Sequence, residues 1–247
     1  MPINSTIETI LNHRSTRKFD PNFIIPQEEL DLILNSGQRA STSASLQMYT
    51  IIEIPKEMRT EDIIPCGGQQ FIRDASFFCI IYSDLHRIKE IVRMNGKEID
   101  TVTAIPLTMG TFDAGITAQN MVIAAESMGY GVCFCGACGD TFEAQKDLLK
   151  LPKHLIPITG LAIGKALDEP QLKPRYPLSL AFHKGEYKEY SKEELLKAIS
   201  VMSTELSRIH NREIDWQSRV DERFNQGWAE RRENTRLRTL REQGFDI

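Results

Sequence analysis

Residues 13–19, His13-Arg14-Ser15-Thr16-Arg17-Lys18-Phe19, place four groups able to carry positive charge and two hydroxyls behind an amphipathic segment that begins at Ser5. Such crowding is unfavourable unless the groups face solvent or an anion. Two readings are open at this point: a helix that ends in solvated basic residues, or an anion site. Two distant stretches have matching chemistry. Residues 39–47, Arg-Ala-Ser-Thr-Ser-Ala-Ser-Leu-Gln, are dense in hydroxyls, and Lys173-Pro174-Arg175 adds an ammonium and a guanidinium. Forked guanidinium groups, an ammonium and small hydroxyls together suit a phosphate attached to a polyol chain.

The elements that carry these groups follow from capping and periodicity. Ser5-Thr6-Ile7-Glu8 reads as a capping box with Ile7, Ile10 and Leu11 on one face, so the first helix delivers His13 and Arg14 at its C-terminal end. Pro26 and the Gln-Glu-Glu-Leu that follows open a second helix, with Leu30, Ile33 and Leu34 inward and Gly37 as its stop. The hydroxyl-rich loop comes next, and then a strand over residues 49–54. Residues 75–82 are a continuous apolar run, as expected of a strand covered on both faces. Residues 110–128 are small and apolar all round, which predicts a buried central helix ended by Gly129 and Gly131. Within it Asp113 and Glu126 give only weak signals, since buried polar residues can be capped or paired. Residues 132–137 and 161–164 read as two more strands, separated by a helix over residues 142–149. Interleaved helices and strands make a layered α+β or α/β domain. No Gly-x-Gly-x-x-Gly follows a strand and no Walker-type loop is present, so a nucleotide cofactor would be held in another way.

Composition bounds the function class. A chain of 247 residues, 41% hydrophobic and 26% charged, is ordinary globular material, read here as one compact domain with an appendage. Its net charge of -4 argues against a nucleic-acid partner. No run approaches the roughly 20 apolar residues of a membrane span, and a secretory leader is not evident. A soluble, cytoplasmic protein is expected.

The cysteines at 66, 79, 133, 135 and 138 are odd in number, unlike a secreted disulfide framework. Cys133-Phe134-Cys135-Gly136-Ala137-Cys138 has the look of a metal run, yet a metal site wants about four ligands and no second pair lies nearby. On a strand Cys133 and Cys135 share one face, so packing as small hydrophobes is the preferred reading. A thiol with redox or metal chemistry is the rival.

From Ser191 onward the pattern turns helical, and after Lys197 every basic residue except His210 is arginine. Arg208 and Arg212 lie four apart, on one face of a helix. Such an extension is either a solvated helix pair or a segment that wraps a partner, with some arginines left to grip phosphate.

The His-Arg-Ser-x-Arg start, the hydroxyl loop ending in Leu46-Gln47, the Gly67-Gly68-Gln69 turn and the late Lys-Pro-Arg, in this order and spacing, resemble the nitroreductase family. Within it they are most similar to the branch of NADPH-dependent FMN oxidoreductases that includes the major oxygen-insensitive nitroreductases and bacterial flavin reductases. The resemblance covers nearly the whole chain. It implies a three-layer α+β fold, a central mostly antiparallel sheet flanked by helices, built as an intertwined homodimer with FMN at the subunit interface. Residues 1–190 would form the FMN-binding core, and residues 191–247 an Arg-rich helical extension that embraces the partner subunit and contacts NADPH.

By position, His13, Arg14, Ser15, Arg17, Thr42, Ser43, Lys173 and Arg175 would hold the phosphate and ribityl end. Gln47 and Gln69 would face the polar edge of the ring. Phe134, Cys135, Gly136 and Ala137 would present backbone N–H groups and a flat surface to it. The family usually has a second glycine where Ala137 stands, which leaves less room for close approach there. Arg208 and Arg212 would bind the 2′-phosphate of NADPH. No side chain then acts as a catalytic acid or base, because the cofactor carries the chemistry. The implied reaction moves a hydride from NADPH to FMN and electrons on to a small acceptor, a nitroaromatic, quinone or flavin, by a ping-pong mechanism. A binding protein for a phosphorylated metabolite, without redox chemistry, is the other reading of the same basic residues.

Overall fold

The structure is a computed structural model that describes residues 3–60, 69–99, 102–225 and 236–246. Helix α1 (Ser5–Leu11) is capped by Asn4, whose side chain accepts a hydrogen bond from the Ile7 N–H, one residue ahead of the Ser5 box read from the sequence. Asparagine serves as well as serine there, because either oxygen satisfies a free N–H of the first turn. Ile7, Ile10 and Leu11 are exposed, and α1 buries none of its residues.

Helix α2 (Gln27–Gln38) continues through Gly37, which is not its stop. A Cβ at Gly37 would stand 2.6 Å from Met121 Cγ, so the glycine is there to let α2 press against α5 (Ala104–Ser127). Helix α5 begins at Ala104, well before the expected residue 110, with Pro106 in its first turn where the missing N–H costs nothing.

The sheet has the order β1-β2-β4-β3, with β1 (Tyr49–Glu53), β2 (Phe77–Asp84), β3 (Gly131–Cys135) and β4 (Leu155–Gly164), and every pair is antiparallel. Strand β4 is longer than its readable part because Pro157 hides the signal. The proline sits opposite Tyr82, where the β2–β4 register shifts, and an absent N–H is tolerated at such an irregularity. Strand β3 stops at Cys135, and Gly136–Thr141 forms 3-10 turns instead of continuing the strand to Ala137.

Alternation along the strands builds two cores. Phe77, Cys79, Ile81, Val132, Leu161 and Ile163 face Ile33 of α2 and Ala114, Ala118 and Met121 of α5. Phe78, Ile80, Tyr82, Cys133, Cys135 and Ala162 face Phe71 and Ile72 of α3 (Gln70–Asp74) and Phe142 of α6 (Phe142–Leu148). Helices, sheet and helices therefore stack in three layers, an α+β fold. The tip of the sheet is closed by Met48, Leu85, Val102 and Phe245 beside α4 (His86–Met94), with Phe245 pairing to Val102.

Two compact units are present, Met1–Pro170 together with Asn234–Ile247, and Gln171–Glu233. The change of unit thus falls at 170/171, whereas the change of composition falls at 191. The second unit contains α7 (Lys192–His210), opened by a full capping box between Ser191 and Glu194, and α8 (Trp216–Asn225). Met202, Leu206 and Ile214, with Trp216 against them, form its small core. Among the described residues no helix is long and apolar enough to cross a membrane.

Candidate functional site

The basic motif is stitched into the sheet. Thr16 N donates to Val132 O at 2.8 Å and Ser15 bridges Val132 in parallel, so residues 15–16 run along the free edge of β3. Phe19 then bridges Ala166, just past β4. His13 Nδ1 lies 2.8 Å from Glu126 Oε1, which also accepts from the Arg14 N–H at 3.4 Å. Arg14 Nη1 pairs with Glu169 at 2.7 Å, while its Nε is buried with no partner. Lys18 pairs with Asp168 at 3.5 Å. Arg14, Thr16, Glu126, Asp168 and Glu169 line a cleft of about 260 Å³. Arg17 is exposed.

The hydroxyl loop is held from the opposite side of the sequence. Ser43 N and Met48 N both donate to the carboxylate of Asp113, at 3.1 and 3.0 Å, and Asp113 is completely buried. Between these two bonds Ala44, Ser45 and Gln47 all have positive φ, at 50°, 58° and 51°. L-residues adopt that region only when their surroundings enforce it. Thr42 and Ser43 are half-buried, and Gln47 is exposed. Gln69 precedes α3, and its Oε1 is buried without a partner. Gly67 and Gly68 of the same turn lie outside the described residues, as does Cys66.

Asp113 and Glu126 are the two charged residues of α5, and each fastens one of the motifs. The sequence marks both only weakly, as buried polar residues that can be capped or paired. The signal was present: a charge on an otherwise apolar buried helix needs a partner. Thirteen residues of helix separate them by about 20 Å along the axis and about 140° around it. Within this chain the basic motif and the hydroxyl loop are therefore held apart rather than together.

At the end of β3, Phe134 packs on the α2–α5 side while Cys133 and Cys135 point into the opposite core. Cys135 Sγ lies 3.7 Å from Cys133 O, and Cys138 fills the space above Gly160, whose missing Cβ would stand 2.6 Å from Cys138 Sγ. The hydrogen bond with Cys133 and burial push the Cys135 thiol well above its usual range, and burial pushes Cys138 up to about 12. Thiols held neutral in this way are poor nucleophiles and poor metal ligands. Among the described residues no group of three or more His, Cys, Asp or Glu is placed to hold a metal. Gly136 is exposed and Ala137 half-buried, on the 3-10 turns that leave the strand.

In the second unit Lys173 and Arg175 are exposed, and Arg175 Nη1 donates back to the Lys173 and Pro174 carbonyls. Arg208, in the last turn of α7, forks onto Glu205 at 3.0 Å and reaches Gln171 at 2.9 Å. Arg212 follows the left-handed Asn211 that ends α7 and is exposed.

The three-layer fold, with the His-Arg-Ser-x-Arg motif on the β3 edge and the hydroxyl loop before β1, coincides with a known family. The family model described as "Nitroreductase family" matches residues 10–65 and 55–165. The chain belongs to the nitroreductase family. It is 35% identical over 188 residues to the FMN reductase (NADPH) of Bacillus subtilis (strain 168), covering 75% of each chain. Among solved structures of the family, nitroreductase A from Vibrio parahaemolyticus superposes with a TM-score of 0.87 at 28% identity, over 99% of both chains. The NADPH:FMN oxidoreductase from Vibrio harveyi, solved in complex with NAD+, gives 0.85 at 29% identity over 98% of this chain and 99% of that one.

Proposed function

We propose that this nitroreductase-family chain is an FMN-dependent oxidoreductase, which takes a hydride from NADPH and reduces a second small acceptor such as a nitroaromatic, a quinone or free flavin. Among the described residues six buried side-chain polar atoms have no partner, and the observation that carries the reading is that two of them are Arg14 Nε and Gln69 Oε1. These two lie on the very residues that the family motif assigns to the phosphate end and to the ring edge. A buried group is rarely left unpaired unless a ligand completes it. The residues present therefore fit FMN.

Bound FMN supplies the hydride acceptance and electron storage. The protein's part is to bind, orient and exclude water. Arg14 and Arg17 neutralise phosphate, with Lys173 and Arg175 assigned to the same end by motif. The Thr42 and Ser43 hydroxyls donate to it, because the Ser43 N–H is already given to Asp113. Gln69 and Gln47 read the polar edge of the ring through amides that both donate and accept. His13 supports this group through Glu126, which fixes the backbone of Arg14 as well. Arg208 and Arg212 are assigned to the 2′-phosphate of NADPH. Using Arg208 in this way means leaving an exposed pair with Glu205, which costs little. NADPH and acceptor occupy one face in turn, which gives ping-pong kinetics.

The working form in this reading is a homodimer. The basic motif and the hydroxyl loop are anchored about 20 Å apart along α5, so one cofactor is served by the motif of one protomer and the loop of its partner. The apolar face of α1, with Ile7 39%, Ile10 48% and Leu11 63% exposed, supports the same conclusion. A helix of 7 residues has little stability of its own and needs that face covered.

Purified protein is expected to be yellow, to take up one FMN per chain, and to be reduced faster by NADPH than by NADH in stopped-flow mixing. Colourless protein that stays empty after incubation with FMN would overturn the cofactor assignment. Equal rates with the two nicotinamides would overturn the assignment of Arg208 and Arg212.

A further inference from the structure

We propose that Asp113 is a positioning residue whose buried carboxylate holds the hydroxyl loop in its strained shape and thereby sets how tightly FMN is bound. The inference rests on the FMN reading above and goes beyond it, since Asp113 itself touches no ligand. Its two oxygens are spent on the backbone: Oδ1 accepts from Ser43 N and Oδ2 from Met48 N. These bonds close the loop at both ends, and the three positive-φ residues, Ala44, Ser45 and Gln47, lie between them.

None of the three is glycine, so the loop cannot rest in this conformation by preference. Something outside the loop must enforce it, and the described structure offers one charged group for the purpose. The carboxylate is anchored on α5, whose face around it is fully buried at Ala114, Thr117 and Ala118. A rigid helix thus transmits its position to Thr42, Ser43 and Gln47, the side chains assigned to the cofactor. Holding the loop before FMN arrives removes an ordering cost from binding.

Replacing Asp113 by Asn leaves one acceptor and turns an NH₂ toward a backbone N–H, so one bond is lost and two donors face each other. Loss of a hydrogen bond to a charged acceptor corresponds to about tenfold to hundredfold in affinity. In Asp113→Asn, the dissociation constant for FMN, read by quenching of flavin fluorescence on titration of the apoprotein, is expected to rise at least about tenfold. Amide exchange in the peptide that covers residues 42–48 should speed up by a similar factor in the apoprotein.

The second arm leaves the buried carboxylate alone. Ala44→Gly, which favours positive φ, should recover part of the lost affinity when combined with Asp113→Asn. Ala44→Val, which disfavours it at an exposed position, should weaken FMN in a chain that folds normally. A merely structural role for Asp113 would show no rescue by a glycine placed in the loop. Binding of FMN by Asp113→Asn within twofold of the parent, or unchanged loop exchange, would overturn the proposal. If Asp113→Asn does not fold, Ala44→Val decides, and unaltered FMN affinity there would overturn it. Should the parent chain bind no FMN, the cofactor reading falls, while the exchange rates of the parent and Asp113→Asn still decide whether the carboxylate holds the loop.

Discussion

The basic motif shows how a residue's assignment depends on what holds it. Arg14 is fixed by Glu169 through one nitrogen and by Glu126 through its backbone, leaving a buried Nε with no partner. Arg14→Ala should therefore weaken FMN about tenfold to hundredfold, measured by flavin titration. Gln69 gives a sharper test because its two effects have opposite signs. An unpaired buried carbonyl oxygen costs about 1–3 kcal/mol. Gln69→Leu should raise the melting temperature of the apoprotein while weakening FMN; a change of the same sign in both would contradict the assignment to the ring edge. The cysteines make the opposite point. Cys79, Cys133, Cys135 and Cys138 are all buried, and burial pushes Cys79 and Cys138 up. With Cys66 replaced by serine, the native protein should not react with a thiol reagent at pH 8 over minutes, and should release its remaining thiols only in denaturant. Prompt labelling of Cys135 would revive a redox role.

At the scale of elements, fit between neighbours decides more than propensity does. Gly37 sits inside α2 although glycine is a weak helix former, because Met121 leaves no room for a side chain. Gly37→Ala gains about 1 kcal/mol in helix propensity and loses about 1–3 kcal/mol to overpacking. A lower melting temperature is expected, and a higher one would mean that α2 and α5 part easily. The tip of the sheet carries a pH dependence. His154, at a φ of 70°, packs against Gly244 and Phe245, and burial, with Lys89, His86 and Lys153 nearby, lowers its pKa below 6.5. A base with a lowered folded-state pKa is protonated first in the unfolded chain, so stability is full above the unfolded value and falls as pH drops through the window below it. His154→Asn keeps a residue that tolerates positive φ. It should lose less stability than the parent between pH 7.5 and 5, as read by denaturant midpoints at each pH; an identical loss would exclude His154 as the source.

For the whole molecule, the exposed face of α1 and the separation of Asp113 from Glu126 argue for two chains. Light scattering should give a mass near twice the 28.1 kDa of one chain; a monomer that binds FMN and turns over would refute the shared site. What the sequence determined by itself was the set of chemical groups and the layered class: the basic and hydroxyl groups of residues 13–19 and 39–47, the apolar run of β2, and the central place of α5, although α5 buries one face and leaves Ile105 and Phe112 exposed rather than being covered all round. These are legible because hydrophobic pattern and side-chain chemistry are local. The extent of β4 was hidden by Pro157, and the cap of α1 by an asparagine that stands one residue ahead of the Ser5 box. The tertiary structure alone decided that Asp113 and Glu126 hold the two motifs and that those motifs stand apart on one helix. Bonds from a helix to loops about 65 to 113 positions away along the chain leave no periodic trace in the sequence, because such pairing is set by packing in three dimensions and not by spacing.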